Sequence, residues 1–282
     1  MRATIGPVTG VLYVVGTPIG NLGDLSDRAR STLASVALVA AEDTRRTGRL
    51  LRSIEVRAPL LSMFEGNEER RAEEIVRRLE DGDDVAVVTD GGMPSISDPG
   101  YRVVRLAADR GLEIRVIPGP SAALAALVLS GLPTDRFAFE GFLPRRRGDR
   151  AASLEALKDD PRTLILFESP RRVGTLLREI STVLGDRRVA LCRELTKLHE
   201  EVVRGTVSEV LAAIADREPR GEVALVVEGD RRGATPDPGA MLEEVRHLIR
   251  EGMRTRDAAR TVAERHGASA NELYRAVVAD HA

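Results

Sequence analysis

In the first part of the chain, apolar residues come in short continuous runs, each stopping at a turn rich in glycine, proline or charge. The runs VLYVVG, ALVAA, DVAVVT and IRVI, at residues 11–16, 37–41, 84–89 and 114–117, read as strands buried on both faces. Patterns with helical spacing fall between them near residues 25–35, 68–81 and 100–110. This alternation predicts a parallel sheet covered by helices, an N-terminal α/β domain over residues 1–118 that ends in PGP. After the alanine-rich helical run SAALAALVLSG, a second set follows: FAFEGFL, TLILFE, RVALCREL, EVVRGTV and EVALVVEG. It is richer in strands and less regularly interrupted by helices, and predicts a mixed sheet in a second α/β domain over residues 119–229.

The polar stretch DRRGATPDPG reads as a linker. Beyond it, MLEEVRHLIREG, TRDAARTVAERHG and SANELYRAVVADHA predict a C-terminal helical module over residues 236–282. Thr255 and Ser269 suit N-cap positions, and Ser269 with Glu272 fits a capping box. Helix-turn-helix-like spacing suggests RNA binding by this module; a packing or dimerisation appendage uses the same pattern.

The chain has 282 residues, 43% hydrophobic and 30% charged, a globular composition with room for more than one domain. A formal net charge of −2 offers no global field for nucleic acid, but arginines gather locally at Arg45-Arg46, Arg145-Arg146-Arg147 and Arg171-Arg172. The lone Cys192 excludes an internal disulfide and sits in a run that reads as a buried strand. No apolar stretch is long enough to span a bilayer and the first ten residues hold no continuous apolar segment, so a cytoplasmic protein with no membrane partner is expected.

The turns carry the candidate chemistry. In open α/β sheets, ligands bind beyond the carboxyl ends of strands, where backbone N–H groups and helix N-termini are free. Five turns here follow strand-like runs: GTPIGN, AEDTRR, DGGMPSISDPG, PGPSA and ESPRR. None is a dinucleotide fingerprint or a phosphate-binding loop, and no serine-hydrolase elbow or metal-binding histidine spacing occurs. Asp90, at a strand end, reads as a ligand-binding carboxylate, whereas Asp98 reads as the cap of the helix starting near Gly100, a role compatible with ligand binding. Ser121 caps the alanine-rich helix or, with Ala122, offers donors to a ligand.

Taken as an ordered set, GTPIGNLGDLSDRA, AEDTRRTGRLL, DGGMPSISDPG, PGPSA, GFLPRR, ESPRR, CRELTKLHEE and GEVALVVEG resemble the tetrapyrrole-methylase superfamily. Within it, they resemble the bacterial methyltransferases of the ribose 2′-oxygen of a cytidine in small-subunit ribosomal RNA. The resemblance implies a two-domain tetrapyrrole-methylase-like fold and S-adenosyl-L-methionine as cofactor, held by Pro18, Asp90, Met93, Ser95, Ser121, Ala122, Phe167 and Ala224. It also implies small-subunit ribosomal RNA, or the small subunit itself, as substrate, a homodimer, and a C-terminal segment that helps hold RNA. A ribose hydroxyl is a weak nucleophile, so a carboxylate base is expected; Asp43 and Glu168 are candidates because each follows a strand beside arginines. Arg45, Arg46, Arg145, Arg146 and Arg171 are the candidate RNA-binding residues. Phe64, Phe139 and Phe142 are the few platforms for base stacking. Two rivals are a methyltransferase of a corrin-type tetrapyrrole and a non-catalytic RNA-binding ribosome-assembly factor.

Overall fold

The computed structural model describes residues 9–215, 221–230, 238–266 and 268–279. Two compact units form, one from Met1–Lys158 and Arg162–Gly229, the other from Asp159–Pro161 and Asp230–Ala282.

The first unit holds two five-stranded sheets. Strands β1 (Val11–Val15), β2 (Leu38–Ala41), β3 (Leu60–Ser62), β4 (Val85–Val88) and β5 (Glu113–Ile117) form a parallel sheet in the order β3-β2-β4-β1-β5. Successive side chains on a strand face opposite ways, so the continuous apolar runs fill two cores at once. Leu38, Ala40, Val85 and Val87 pack under α3 (Glu68–Glu80) and α4 (Tyr101–Asp109). Val39, Ala41, Ala86 and Val88 pack under α1 (Asp27–Ser35) and α2 (Thr44–Ser53).

The second sheet joins β6 (Phe137–Phe142), β7 (Thr163–Glu168), β8 (Arg188–Arg193), β9 (Glu201–Thr206) and β10 (Val223–Val227) in the order β6-β7-β10-β8-β9. Only β6 and β7 run parallel, so the sheet is mixed, as the second set of runs predicts. Helix α5 (Ala122–Ser130) covers one face through Ala126 and Leu127. Helices α6 (Arg147–Ala156), α7 (Pro170–Val183) and α8 (Val207–Ala213) cover the other.

Two elements go beyond the sequence-based expectation. Helix α2 and strand β3 lie between the second and third expected strands; α2 buries only Thr47 and Leu51, and β3 is three partly exposed residues at the sheet edge. Such short, weakly apolar elements give little periodic signal. In the second sheet α6, α7 and α8 follow strands more regularly than expected. The buried Val173, Leu176, Leu177 and Ile180 of α7 do carry helical spacing in the sequence.

The second unit consists of α9 (Pro238–Arg250), α10 (Thr255–His266) and α11 (Ala270–Ala279), packed through Met241, Val245, Ala259, Val262, Leu273 and Val277. The Glu272 N–H donates to Ser269 Oγ at 3.4 Å, one half of the expected capping box. Among the described residues no helix is long and apolar enough to cross a membrane.

Candidate functional site

Three of the predicted turns come together because their backbones touch. The Thr17 N–H donates to the Gly92 carbonyl at 2.9 Å, and the Gly92 N–H returns the bond to the Thr17 carbonyl at 3.0 Å. Gly92 makes this bridge at φ +94°, a conformation that favours glycine. Gly16 and Gly119 approach so closely that a Cβ on Gly16 would sit 2.6 Å from Gly119 Cα. The turns after β1, β4 and β5 are thereby locked into one wall.

Facing that wall is a cavity of about 470 Å³. Ile19, Asp90 and Ala122 line it from the three turns, and Glu42 and Arg46 from the end of β2 and the start of α2. Its floor comes from the second sheet, where cross-strand register sets Ala224 beside Phe167 on one side and Cys192 on the other. The small side chains of Ala122 and Ala224 leave the space open. Phe142 also lines it, 58% exposed and edge-to-face with Phe167 at 5.7 Å between ring centroids. Phe139 packs on the same ring at 5.0 Å but within the core, and Phe64 lies apart on the surface after β3. Burial pushes the Cys192 thiol up to about 11, so it remains a neutral part of the floor.

Of the carboxylates on the lining, Asp90, Glu42 and Asp98 interact with one another. Asp90 accepts from the Asp43 N–H at 3.2 Å and pairs with Arg46 at 3.1 Å, tying the end of β4 to the end of β2. Its pKa is raised, chiefly by burial and then by the charge of Glu42, against the opposing pull of Arg46. Glu42 accepts from the Thr89 hydroxyl at 2.7 Å and the Asp90 N–H at 3.3 Å. Asp98, the third, is pushed up to about 6 by burial first and by Glu42 next, despite a hydrogen bond with Thr89. The cap position of α4 belongs to Gly100, and Asp98 lines the cavity instead.

The two expected bases are placed differently from each other. Asp43 does not line this cavity: its carboxylate caps α2 by accepting from the Arg45 and Arg46 N–H groups. The Arg45 side chain, followed by these backbone bonds, holds its pKa down at about 2. Glu168 does line the cavity, yet its side chain is 1% exposed and its Oε1 accepts from the Ser169 N–H at 2.6 Å and from Arg172 Nε at 2.8 Å.

Of the expected cofactor residues, Asp90, Ala122, Phe167 and Ala224 line the cavity. Pro18, Met93, Ser95 and Ser121 lie in the same three turns but not on its lining; Ser121 caps α5 by accepting from the Leu124 N–H at 3.4 Å. Ser95, at φ +73°, keeps a buried hydroxyl with no hydrogen-bond partner. Among the expected RNA-binding residues, only Arg46 lines the cavity. Arg145 and Arg146 follow β6 and Arg171 begins α7 after β7. These parallel neighbours pair Phe142 with Phe167, so both clusters emerge at the same end of the sheet. The buried Arg150 holds the first cluster by donating to the Pro144 and Arg145 carbonyls while it pairs with Glu179.

Sequence reasoning passed over Glu42, Ser97 and the Glu222-Val223 pair, all on the lining. Glu42 and Asp43 both follow β2, and neighbours on an extended chain face opposite ways. Nothing in AAEDTRR tells which of the two faces the ligand.

Comparison with known proteins gives a consistent result. The family described as Tetrapyrrole (Corrin/Porphyrin) Methylases matches residues 11–211. A protein of Synechocystis sp. named ribosomal RNA small subunit methyltransferase I is 41% identical over 94% of this chain and 96% of its own length. A Thermotoga maritima protein of the same name is 47% identical over 78% of this chain and 99% of its own length. Among solved structures, a uroporphyrin-III-C-methyltransferase from Thermus thermophilus has a similar fold, with a TM-score of 0.57 at 22% identity, covering 78% of this chain and 94% of that one.

Proposed function

Since the chain belongs to the tetrapyrrole (corrin/porphyrin) methylases and, within them, to the ribosomal RNA small subunit methyltransferase I family, we propose that it methylates the 2′-oxygen of a cytidine ribose in small-subunit ribosomal RNA. It is an S-adenosyl-L-methionine-dependent enzyme. The near-full-length identity to relatives of that name is the observation that carries the reading.

The residues present fit the cofactor. The first N–H groups of α5 have no acceptor within the helix, and Asp90 offers a carboxylate on the cavity lining to hydroxyl or ammonium groups. Asp90, Ala122, Phe167 and Ala224 hold it directly, and Pro18, Met93, Ser95 and Ser121 belong to the turns that support them. When bound, S-adenosyl-L-methionine supplies a methyl group already activated by its sulfonium charge.

The chain's own task is to align the ribose and remove a proton. Phe142 offers its exposed face to the base. Asp98 takes the hydroxyl proton: it is on the lining, and burial and then Glu42 push its pKa up to about 6, which makes it a stronger base than an ordinary carboxylate. Asp43 orients α2 and its arginines, and the Glu168–Arg172 pair fixes the start of α7, so these two candidates serve by position. Arg45, Arg46, Arg145, Arg146 and Arg171 neutralise RNA phosphates on either side of the cavity. A second copy of the chain is the expected partner, and sedimentation at working concentration tests it.

Incubating the protein with labelled cofactor and unmodified small subunits, then analysing nucleosides by mass spectrometry, tests the reaction. 2′-O-methylcytidine is expected; cofactor binding without transfer rejects it. Asp90→Ala is expected to weaken cofactor binding at least about tenfold while RNA binding holds within about twofold, and Arg146→Ala to do the reverse. Calorimetry and filter binding read the two, and a swapped pattern would discard the site map. Deleting residues 235–282 is expected to spare cofactor binding and lower activity on RNA, measured by the same transfer assay.

A further inference from the structure

Beside the cofactor cavity, along the outer side of α2, runs a second concavity of about 610 Å³. Arg45, Arg46, Arg49 and Arg52 line it, with Leu60 of the edge strand β3 at its base. Arg45, Arg49 and Arg52 stand four and three residues apart, so they share one face of the helix over a rise of about 10 Å. A shallower depression of about 390 Å³ continues it, sharing Gly48, Arg52 and Leu60 and adding Arg57. The track therefore reaches from Arg46, which also lines the cofactor cavity, to Arg57 beyond the end of α2.

The charge along this track is uncompensated at its far end. Arg45 and Arg46 are partly neutralised by Asp43 and Asp90. Elsewhere on the first sheet's helices, arginines such as Arg71, Arg78, Arg102 and Arg110 face a carboxylate within 4 Å. Arg49, Arg52 and Arg57 are exposed, and among the described residues none of the three forms an ion pair. Three unpaired guanidiniums along one groove at an open sheet edge form a surface for a chain of phosphates, and a globular acidic partner has no need of a continuous track.

We propose that the α2 groove binds the RNA backbone flanking the target nucleotide, with Arg49, Arg52 and Arg57 as phosphate-contacting residues that set the register of the strand entering the cavity. The inference rests on the ribosomal RNA methyltransferase reading. These residues touch the substrate away from the reacting atoms, so they act on RNA affinity and leave the cofactor alone.

The test is the triple variant Arg49→Ala, Arg52→Ala, Arg57→Ala in the full chain, with the matching triple lysine variant. The probe is unmodified small-subunit ribosomal RNA, free and in the assembled subunit. The alanine variant is expected to raise KM for RNA at least tenfold with kcat within about twofold, and to reduce the slope of log affinity against log salt by about 2, near 0.7 for each phosphate no longer neutralised. Cofactor affinity and the thermal midpoint stay unchanged, because all three side chains are on the surface. The lysine variant, which keeps the charges, recovers most of the affinity. If wild-type protein methylates RNA and the alanine variant matches it in KM and salt slope, the groove assignment is overturned while the enzyme's function stands. If wild-type protein neither binds nor methylates RNA, the functional reading fails and the groove assignment falls with it.

Discussion

Gly119→Ala is expected to cost about 1–3 kcal/mol of stability and at least about tenfold in cofactor affinity. A Cβ at this position would lie 2.8 Å from the carbonyl carbon and Cα of Gly16 and 3.0 Å from its oxygen. All three are backbone atoms at the end of β1, where the Gly16 N–H is already bound to the Ile117 carbonyl at 3.0 Å. No side-chain rotation relieves the clash, so the turn after β5 must move away from the turn after β1. That movement separates Ile19 from Ala122, both on the lining of the cavity. In a unit of this size the thermal midpoint should fall by roughly 5 °C. Calorimetric unfolding and cofactor titration measure the two effects; a variant equal to wild type in both would show that the turns need not touch for the site to form.

Asp98→Asn is expected to raise stability and to lower activity at the same time. The carboxyl titrates at about 6 in the folded chain against an ordinary value of 3.8, because burial and then Glu42 oppose its charge. A folded pKa above the unfolded one means that this group's contribution is most favourable below 3.8 and is lost as pH rises through 6. At full burial a shift of two units corresponds to roughly 3 kcal/mol, and solvent access to the cavity reduces this to on the order of 1–2 kcal/mol. Asparagine removes the charge, so the variant should be more stable than wild type at pH 8 and equal to it near pH 4. Transfer to RNA should fall by at least about tenfold, and the wild-type rise in rate through pH 6 should disappear. Thermal unfolding at the two pH values, beside a pH–rate profile, makes the comparison. A variant that retains the wild-type pH–rate profile would remove Asp98 from the reaction. Such opposition between stability and activity is characteristic of groups held in the wrong protonation environment for function's sake.

How far the site was readable varies with the kind of residue. Asp90, Ala122, Phe167 and Glu168 follow from a simple rule, since each stands at or just beyond a strand's carboxyl end or at a helix start, whereas Ala224, near the amino end of β10, came from the family resemblance alone. Asp98 escapes that rule, and for Glu42 the rule cannot choose between it and its neighbour Asp43. A carboxylate inside SISDPG looks like a helix cap, and only the folded loop, with Ser95 and Ser97 at positive φ, turns it into the cavity. Asp43 shows the converse, because its motif beside two arginines looks reactive and its carboxylate is used to begin α2. Arg49 and Arg52 gave no signal as a pair until α2 became a helix, which placed them on one face with Arg45.

Continuous apolar runs by themselves determined the inner strands of the parallel sheet, because a strand covered on both faces requires an apolar residue at every position, as in LVAA of β2 and VAVV of β4. The edges escaped this reading, since β3 is short and β5, expected to be buried on both faces, is largely exposed. The ordered set of turn motifs carried the resemblance to the family that the comparisons show, and the glycines at 16, 92 and 119 within those motifs stand where the backbones of the turns meet. Tertiary structure alone decided which carboxylate faces the cavity, which is spent on a cap or an ion pair, and which arginines are left without one. Those outcomes depend on distances between strand ends brought together from far apart in the chain, such as Asp43 and Asp90, and a linear pattern carries direction and burial but not such distances.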